Sequence, residues 1–63
     1  MTRAELNKFL DGDYLVKYDG ELYYFDNIGG DGMVTMRDIN NDYAHGVKLV
    51  DMLHNRRYSA RKF

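Results

Sequence analysis

The sequence contains no cysteine, no proline and no tryptophan. Without cysteine, no disulfide can hold the fold together and no cysteine-based zinc site can form. No run of about 18 apolar residues is present, which argues against a membrane-spanning helix. The first residues, Met1 to Glu5, lead into no apolar segment of the kind found in signal peptides. We therefore expect a soluble cytoplasmic protein with no membrane partner.

Motifs for catalysis and metal binding are missing as well. No Ser-His-acid set stands out, and no Lys-Ser/Thr pair follows Gly32 to complete a phosphate-binding loop. The stretch Asp38 to Asp42 imitates the first half of a calcium loop, but Tyr43 and Leu49 stand where that loop needs glycine and a bidentate glutamate. The sequence therefore predicts no enzyme, no cofactor and no metal site.

The residues that are present indicate one small folded domain. The chain has 63 residues, of which 44% are hydrophobic, and six tyrosines and three phenylalanines supply much of the apolar surface. A domain of this length buries only about 60% of the surface of its unfolded chain. We expect marginal stability, and homo-oligomer formation stays open as a way to add burial.

The first segment, residues 1–12, has the signals of a short helix. Thr2 and Glu5 have the spacing of a capping box, in which each side chain accepts a hydrogen bond from the other residue's backbone. Gly12 is suited to the left-handed conformation that ends a helix. The apolar residues between them lie three and four positions apart, on one face: Leu6, Phe9 and Leu10.

A β-hairpin is predicted next, with strands 14–18 and 21–25 joined by Asp19-Gly20. This pair favours a type I′ turn, whose two central residues both have positive φ. The two-residue loop fixes the register, so that one face carries Tyr14, Val16, Tyr18, Tyr23 and Phe25. We expect that face to be the core. The opposite face is unusually apolar, and is either an exposed patch or partly buried by a bent strand.

The remaining pattern predicts two more strands and a helical turn. Glycine-rich residues 29–32 form a turn before a third strand over 33–39, and loop-forming residues 40–42 follow. A fourth strand is predicted over 47–50. Asp51 is expected to cap a last helical turn that ends at His54.

This order resembles a small SH3-like barrel of the Tudor and KOW group. The resemblance covers Tyr14 to Leu53 and rests on the segments LVKYDGELYYFDNI, GMVTMRDIN and VKLVDML. In Tudor domains an aromatic cage holds a methylated lysine or arginine by cation–π attraction; Tyr18 and Tyr23 match two cage positions. The expected fold is mainly β (α+β): an SH3-like antiparallel barrel (13–53), a short N-terminal helix (1–12) and a basic C-terminal tail (54–63).

Charge is distributed unevenly along the chain. Residues 11–47 hold eight acidic and two basic side chains, whereas residues 48–63 hold five basic and one acidic side chain. The chain is therefore strongly dipolar along its sequence, although its overall net charge is only −1. Two kinds of partner, a protein or a nucleic acid, are compatible with this layout.

The function we expect is that of a non-enzymatic accessory or inhibitor module that docks on a larger protein, for example one of the machinery that handles nucleic acid. Modules of this size are common among virus-encoded proteins, which would place it in the host cytoplasm. The expected protein-binding residues are Leu15, Leu22 and Tyr24. The alternative is direct nucleic-acid binding, in which basic groups pair with phosphates and a ring stacks on bases. The residues for that alternative, or for electrostatic steering of a protein partner, are Arg56, Arg57, Tyr58, Arg61 and Lys62.

Overall fold

A computed structural model describes residues 1–63, which form five strands and two short helices. In chain order the elements are α1 (Arg3–Leu10), β1 (Tyr14–Tyr18), β2 (Glu21–Ile28), β3 (Met33–Asp38), β4 (Ala44–Lys48), α2 (Leu49–His54) and β5 (Ser59–Lys62). All five strands belong to one antiparallel sheet with the order β4-β3-β2-β1-β5. Neither helix has the length and apolar character needed to cross a membrane.

The helix α1 begins and ends where the sequence predicts. The Thr2 hydroxyl accepts a hydrogen bond from the Glu5 backbone at 3.1 Å, and the Glu5 carboxylate accepts one from the Thr2 backbone at 2.9 Å. Hydrogen bonding from Thr2, first of all from its backbone N–H, lowers the pKa of the Glu5 carboxyl below its usual value. Gly12 follows the helix with a φ of 88°, which glycine adopts without steric cost. The predicted capping box is confirmed.

The predicted hairpin is confirmed in both turn and register. Asp19 and Gly20 have φ values of 53° and 83°, as a type I′ turn requires. Val16 pairs with Tyr23 across β1 and β2. The second strand continues beyond the expected end to Ile28, and its register with β3 shifts between Phe25 and Asn27.

The fourth strand lies earlier than the sequence predicts. It covers Ala44–Lys48, and Leu49 already begins α2, so Asp51 lies in the first turn of that helix and Lys48 is its N-cap. The physical reason is burial. In a helix, Leu49, Met52 and Leu53 fall three and four positions apart and share one face, and all three pack in or against the core.

The expected C-terminal tail is not an extension outside the sheet. Ser59–Lys62 form β5, which pairs antiparallel with β1 and matches Ala60 to Val16. Tyr58, directly before β5, is only 6% exposed. Lysine and arginine are typical of edge strands, where they discourage pairing with another chain. The abundance of basic residues in this segment is the reason why the sequence pattern did not predict β5.

The core lies where both helices pack against one face of the sheet. It consists of eight buried side chains: Leu6, Phe9, Val16, Val34, Met36, Val47, Met52 and Tyr58. Tyr18, Tyr23 and Phe25 pack against this cluster, which confirms the predicted inner face of the hairpin. Leu15, on the opposite face, is also buried, at 8% exposure, but lies outside the cluster.

Candidate functional site

The apolar patch predicted on the outer hairpin face is largely covered. Leu15 is buried, and Leu22 and Tyr24 are half-buried. The Tyr24 hydroxyl donates a hydrogen bond to the Asp42 carboxylate, which raises the pKa of the Tyr24 phenol above its usual value. Leu15 is therefore not an exposed anchor for a partner, and the hydroxyl of Tyr24 is already engaged within the chain.

The basic residues predicted for nucleic-acid contact separate into two groups. Arg56 and Arg57 are exposed in the turn before β5, and Arg61 and Lys62 are exposed on β5 itself. Tyr58 is different, because its ring is buried against the ring of Tyr18, with centroids 4.3 Å apart. Tyr58 is thus a core residue and cannot stack on a base.

The structure brings a different set of residues together around a surface cavity of about 270 Å³. Its lining comes from β2, from the end of β3, from the loop that follows and from the start of β4. The lining residues are Glu21, Tyr23, Asp38, Asn41, Tyr43, Ala44 and His45. We call this cavity the acidic aromatic pocket.

Strand pairing places the residues of the pocket. Tyr23 on β2 is opposite Asp38 on β3, and His45 on β4 is opposite Met36 on β3. Side chains two positions apart on a strand share a face, so Asp38 and Met36 lie on the same side of the sheet as their partners. The neighbour Arg37 therefore points to the other side, where it forms an ion pair with Asp26 at 3.1 Å.

The loop between β3 and β4 is held in place by Asp38. Asp38 as a residue is 5% exposed, and its carboxylate accepts a hydrogen bond from the Asn40 backbone at 2.7 Å. The Asp38 backbone also donates to the Tyr43 carbonyl and accepts from the Asp42 N–H. A second side chain, Asn41, accepts from the Tyr43 backbone at 3.0 Å. Because short polar side chains fix turns in this way, the wall of the pocket is pre-organised.

Aromatic rings form a continuous row that begins with two residues of the pocket lining, Tyr23 and His45. The His45 ring lies 5.3 Å from the Tyr18 ring and 5.4 Å from the Tyr23 ring, between centroids. Tyr18 in turn stacks on Tyr58, which ties the row to the core. Tyr43 stands apart on the loop with 74% of its surface exposed.

The pocket is lined by two acidic side chains, Glu21 and Asp38, and by no lysine or arginine. Burial raises the pKa of the Tyr23 phenol, and the charges of Asp38, Glu21 and Asp19 raise it further. Neither Glu21 nor Asp38 forms an ion pair, since both ion pairs of the chain involve Arg37. Two carboxylates that line the same pocket as the rings of Tyr43 and Tyr23 are suited to a cation, which is attracted both by charge and by the ring quadrupoles.

Sequence reasoning located part of this pocket. The resemblance to Tudor domains singled out Tyr18 and Tyr23, and both lie in the aromatic row. It missed Tyr43 and His45, because their position depends on the pairing of β3 with β4. The polar stretch from Asp38 was a signal for an ordered loop, and its hydrogen bonds are those of a turn.

Comparison of the chain with protein-family models, with curated proteins and with solved structures finds no match.

Proposed function

We propose that this chain is a small non-enzymatic module that binds a larger protein, as an accessory or inhibitor, through the acidic aromatic pocket. The observation that carries the proposal is that one pre-organised cavity combines two carboxylates outside any ion pair, Glu21 and Asp38, with the exposed ring of Tyr43 and the half-buried ring of Tyr23. The partner then presents a basic segment. The proposed setting is the cytoplasm, that of the host cell if the protein is virus-encoded.

The proposed architecture is an SH3-like barrel of the Tudor and KOW type. Two features support it: the strand order, in which β1 pairs with both β2 and β5, and the short helix between β4 and β5. The burial of Leu15 on the outer face of the sheet also favours strands that bend around the core. Fold alone does not define function, so the argument for binding rests on the pocket.

The size of the pocket favours a single side chain over a metabolite. Sites for drug-sized ligands are typically about 300–1,000 Å³, and this cavity of about 270 Å³ is open at the surface. A lysine or arginine side chain fits such a volume, with its charge among the rings and carboxylates. The Tudor resemblance implies that a methylated lysine or arginine would also be accepted.

NMR titration with short peptides tests this function. Five-residue peptides with a central lysine, trimethyl-lysine, arginine or norleucine are added to ¹⁵N-labelled protein. We expect the cationic peptides to shift the amide signals of Glu21, Tyr43 and His45, and norleucine, which is apolar and of similar length to lysine, to shift none of them. Equal shifts with norleucine would show that the pocket does not select for charge.

Two variants test whether residues of the pocket contribute to the affinity for the cationic peptides. Tyr43→Ala removes an exposed ring and should lower the affinity for the cationic peptides about two- to fivefold, as expected for one cation–π contact at a surface. Glu21→Gln should lower it as well, because one of the two carboxylates is lost. Phe63→Ala is the matched control, since it removes another exposed ring that lies outside the pocket. If all three variants bind equally, the site lies elsewhere.

A further inference from the structure

Five basic side chains lie on β1, on β5 or in the turn before β5, at one edge of the sheet and away from the pocket lining. Lys17 lies on β1 opposite Ser59 of β5, and Arg61 lies opposite Leu15, so that Lys17 and Arg61 occupy the outer face, whereas Lys62, opposite Tyr14, lies on the other face of β5. Arg56 and Arg57 are in the turn that leads into β5. The members of this cluster, which we call the basic edge, are Lys17, Arg56, Arg57, Arg61 and Lys62; all are exposed.

None of these five cations is neutralised within the chain. The sequence has ten acidic residues, yet both ion pairs of the structure involve Arg37. Packing like charges at one edge raises the local potential unless counter-ions or a ligand offset it. The basic edge is therefore available to a polyanion.

The acidic residues around the basic edge limit how much of a polyanion it can hold. Asp13 and Asp19 flank β1 at its two ends. A strand of four or five residues is about 13–17 Å long, so the cations form a narrow strip along this edge, on both faces of β5, between these carboxylates. A nucleic-acid duplex would carry its second phosphate strand over the acidic parts of the molecule, whereas a single strand can follow the strip alone.

One exposed ring distinguishes between types of polyanion. Phe63 comes directly after Lys62 and is 79% exposed. Proteins that bind single-stranded nucleic acid combine a basic groove with rings on which bases stack. An acidic peptide offers charge but no flat base to stack on such a ring. A phenylalanine beside unpaired cations thus favours a nucleic acid over an acidic protein.

We infer that the basic edge and Phe63 form a second binding site, which holds a short stretch of single-stranded nucleic acid by phosphate contacts and base stacking. This site is distinct from the acidic aromatic pocket and does not depend on the function proposed for it. It corrects the role expected for Tyr58: the ring that meets a base is Phe63, and Tyr58 supports β5 from inside.

Fluorescence anisotropy with a labelled ten-nucleotide oligo(dT) tests the inference. Each neutralised phosphate of a single strand contributes about −0.7 to the slope of log K against log salt. Contacts to three to five phosphates give an expected slope of about −2 to −3.5. A decameric oligoglutamate competes poorly if stacking contributes. No binding at low salt, or equal binding of oligoglutamate, would overturn the inference.

A matched pair of double variants tests whether oligo(dT) binding depends on the basic edge or only on the net charge of the protein. Arg61→Gln/Lys62→Gln and Arg3→Gln/Lys8→Gln remove the same charge, and all four residues are exposed. We expect the first to weaken oligo(dT) binding about tenfold at low salt and to flatten the slope by about 1.4, for two lost contacts. The control on α1 should change binding by less than about twofold. Equal losses in both would show that only the overall charge matters.

A third comparison tests stacking. Phe63→Leu keeps an apolar side chain without a ring and should weaken binding about fivefold or more, whereas Phe63→Tyr should retain it. The pocket variant Glu21→Gln/Tyr43→Ala should bind oligo(dT) as the parent does. Circular dichroism on every variant confirms that the sheet is intact. A parent-like affinity for Phe63→Leu would refute the stacking contact.

Discussion

The ring of Tyr58 stacks on the ring of Tyr18, with centroids 4.3 Å apart and an angle of 16° between the planes. This contact joins the end of β1 to the residue that leads into β5, and Tyr58 is also one of the eight core side chains. The last segment of the sheet is therefore anchored by an aromatic side chain as well as by backbone hydrogen bonds.

We expect Tyr58→Ala to destabilise the domain by about 3 kcal/mol, the usual cost of deleting a large buried ring. A domain of this size has a total stability of only a few kcal/mol, so the variant should be largely unfolded at room temperature. Urea unfolding followed by circular dichroism measures the change. Tyr58→Phe keeps the stacked ring and should cost less than about 1 kcal/mol. An unchanged midpoint for the alanine variant would mean that the ring does not support the core.

The raised pKa of Tyr58 leads us to expect a loss of stability at alkaline pH. Burial raises the pKa of the Tyr58 phenol to about 12 from its ordinary value of 10.0. Below pH 10 the phenol is protonated in both states and the stability is fully present. Between pH 10 and 12 only the unfolded chain releases this proton, so the free energy of unfolding falls as the pH rises.

The alkaline loss attributable to Tyr58 should be on the order of 2 kcal/mol over that interval. Tyr58→Phe has no proton to release, and its unfolding free energy should fall less steeply above pH 10 than that of the parent chain. Chemical unfolding of both proteins at a series of pH values gives the comparison. Parallel curves for the two proteins would assign the loss to other groups.

Two substitutions at Asp38 separate the effect of its charge on binding from the effect of its hydrogen bond on stability. Asp38→Asn keeps a side-chain oxygen that can accept the hydrogen bond from Asn40, so we expect the stability to change by less than about 1 kcal/mol. The pocket loses one negative charge, so the affinity for a lysine peptide should fall. Asp38→Ala removes the acceptor and should destabilise the domain by about 1–2 kcal/mol. If the asparagine variant lost as much stability as the alanine variant, the carboxylate charge itself would hold the loop.

Gly20 and Gly30 form a matched pair for backbone conformation. An added Cβ meets no atom within 4 Å at either position, but Gly20 has a φ of 83° and Gly30 has no positive φ. Gly20→Ala should therefore cost about 1 kcal/mol through left-handed strain alone. Gly30→Ala should be neutral or slightly stabilising, because it restricts the unfolded chain. Thermal unfolding of both variants tests this; equal melting temperatures would contradict the assigned turn geometry.

Elements defined by neighbouring residues could be predicted from the sequence. The capping box needs only Thr2 and Glu5, and the hairpin register follows from Asp19-Gly20. β5 could not be predicted in the same way, because only Tyr58 and Ala60 carry its inward pattern and its partner is β1, far away in sequence. The pocket was found only in part for the same reason: Tyr43 and His45 reach it through the pairing of β4 with β3.

The two partners of β1 become available at very different times during folding. Tyr18 pairs with Glu21 across a two-residue turn. Val16 pairs with Ala60, which lies 44 residues later in the chain, so this second pairing forms only after β5 is in place. A hairpin forms in about 1–10 μs, but pairing distant strands first requires the intervening chain to be brought into place. A chain emerging from the ribosome therefore carries β1 with one edge open until the last strand has been synthesised. During that interval the open edge of β1 can pair with another chain, whereas in the completed sheet β5 occupies that edge.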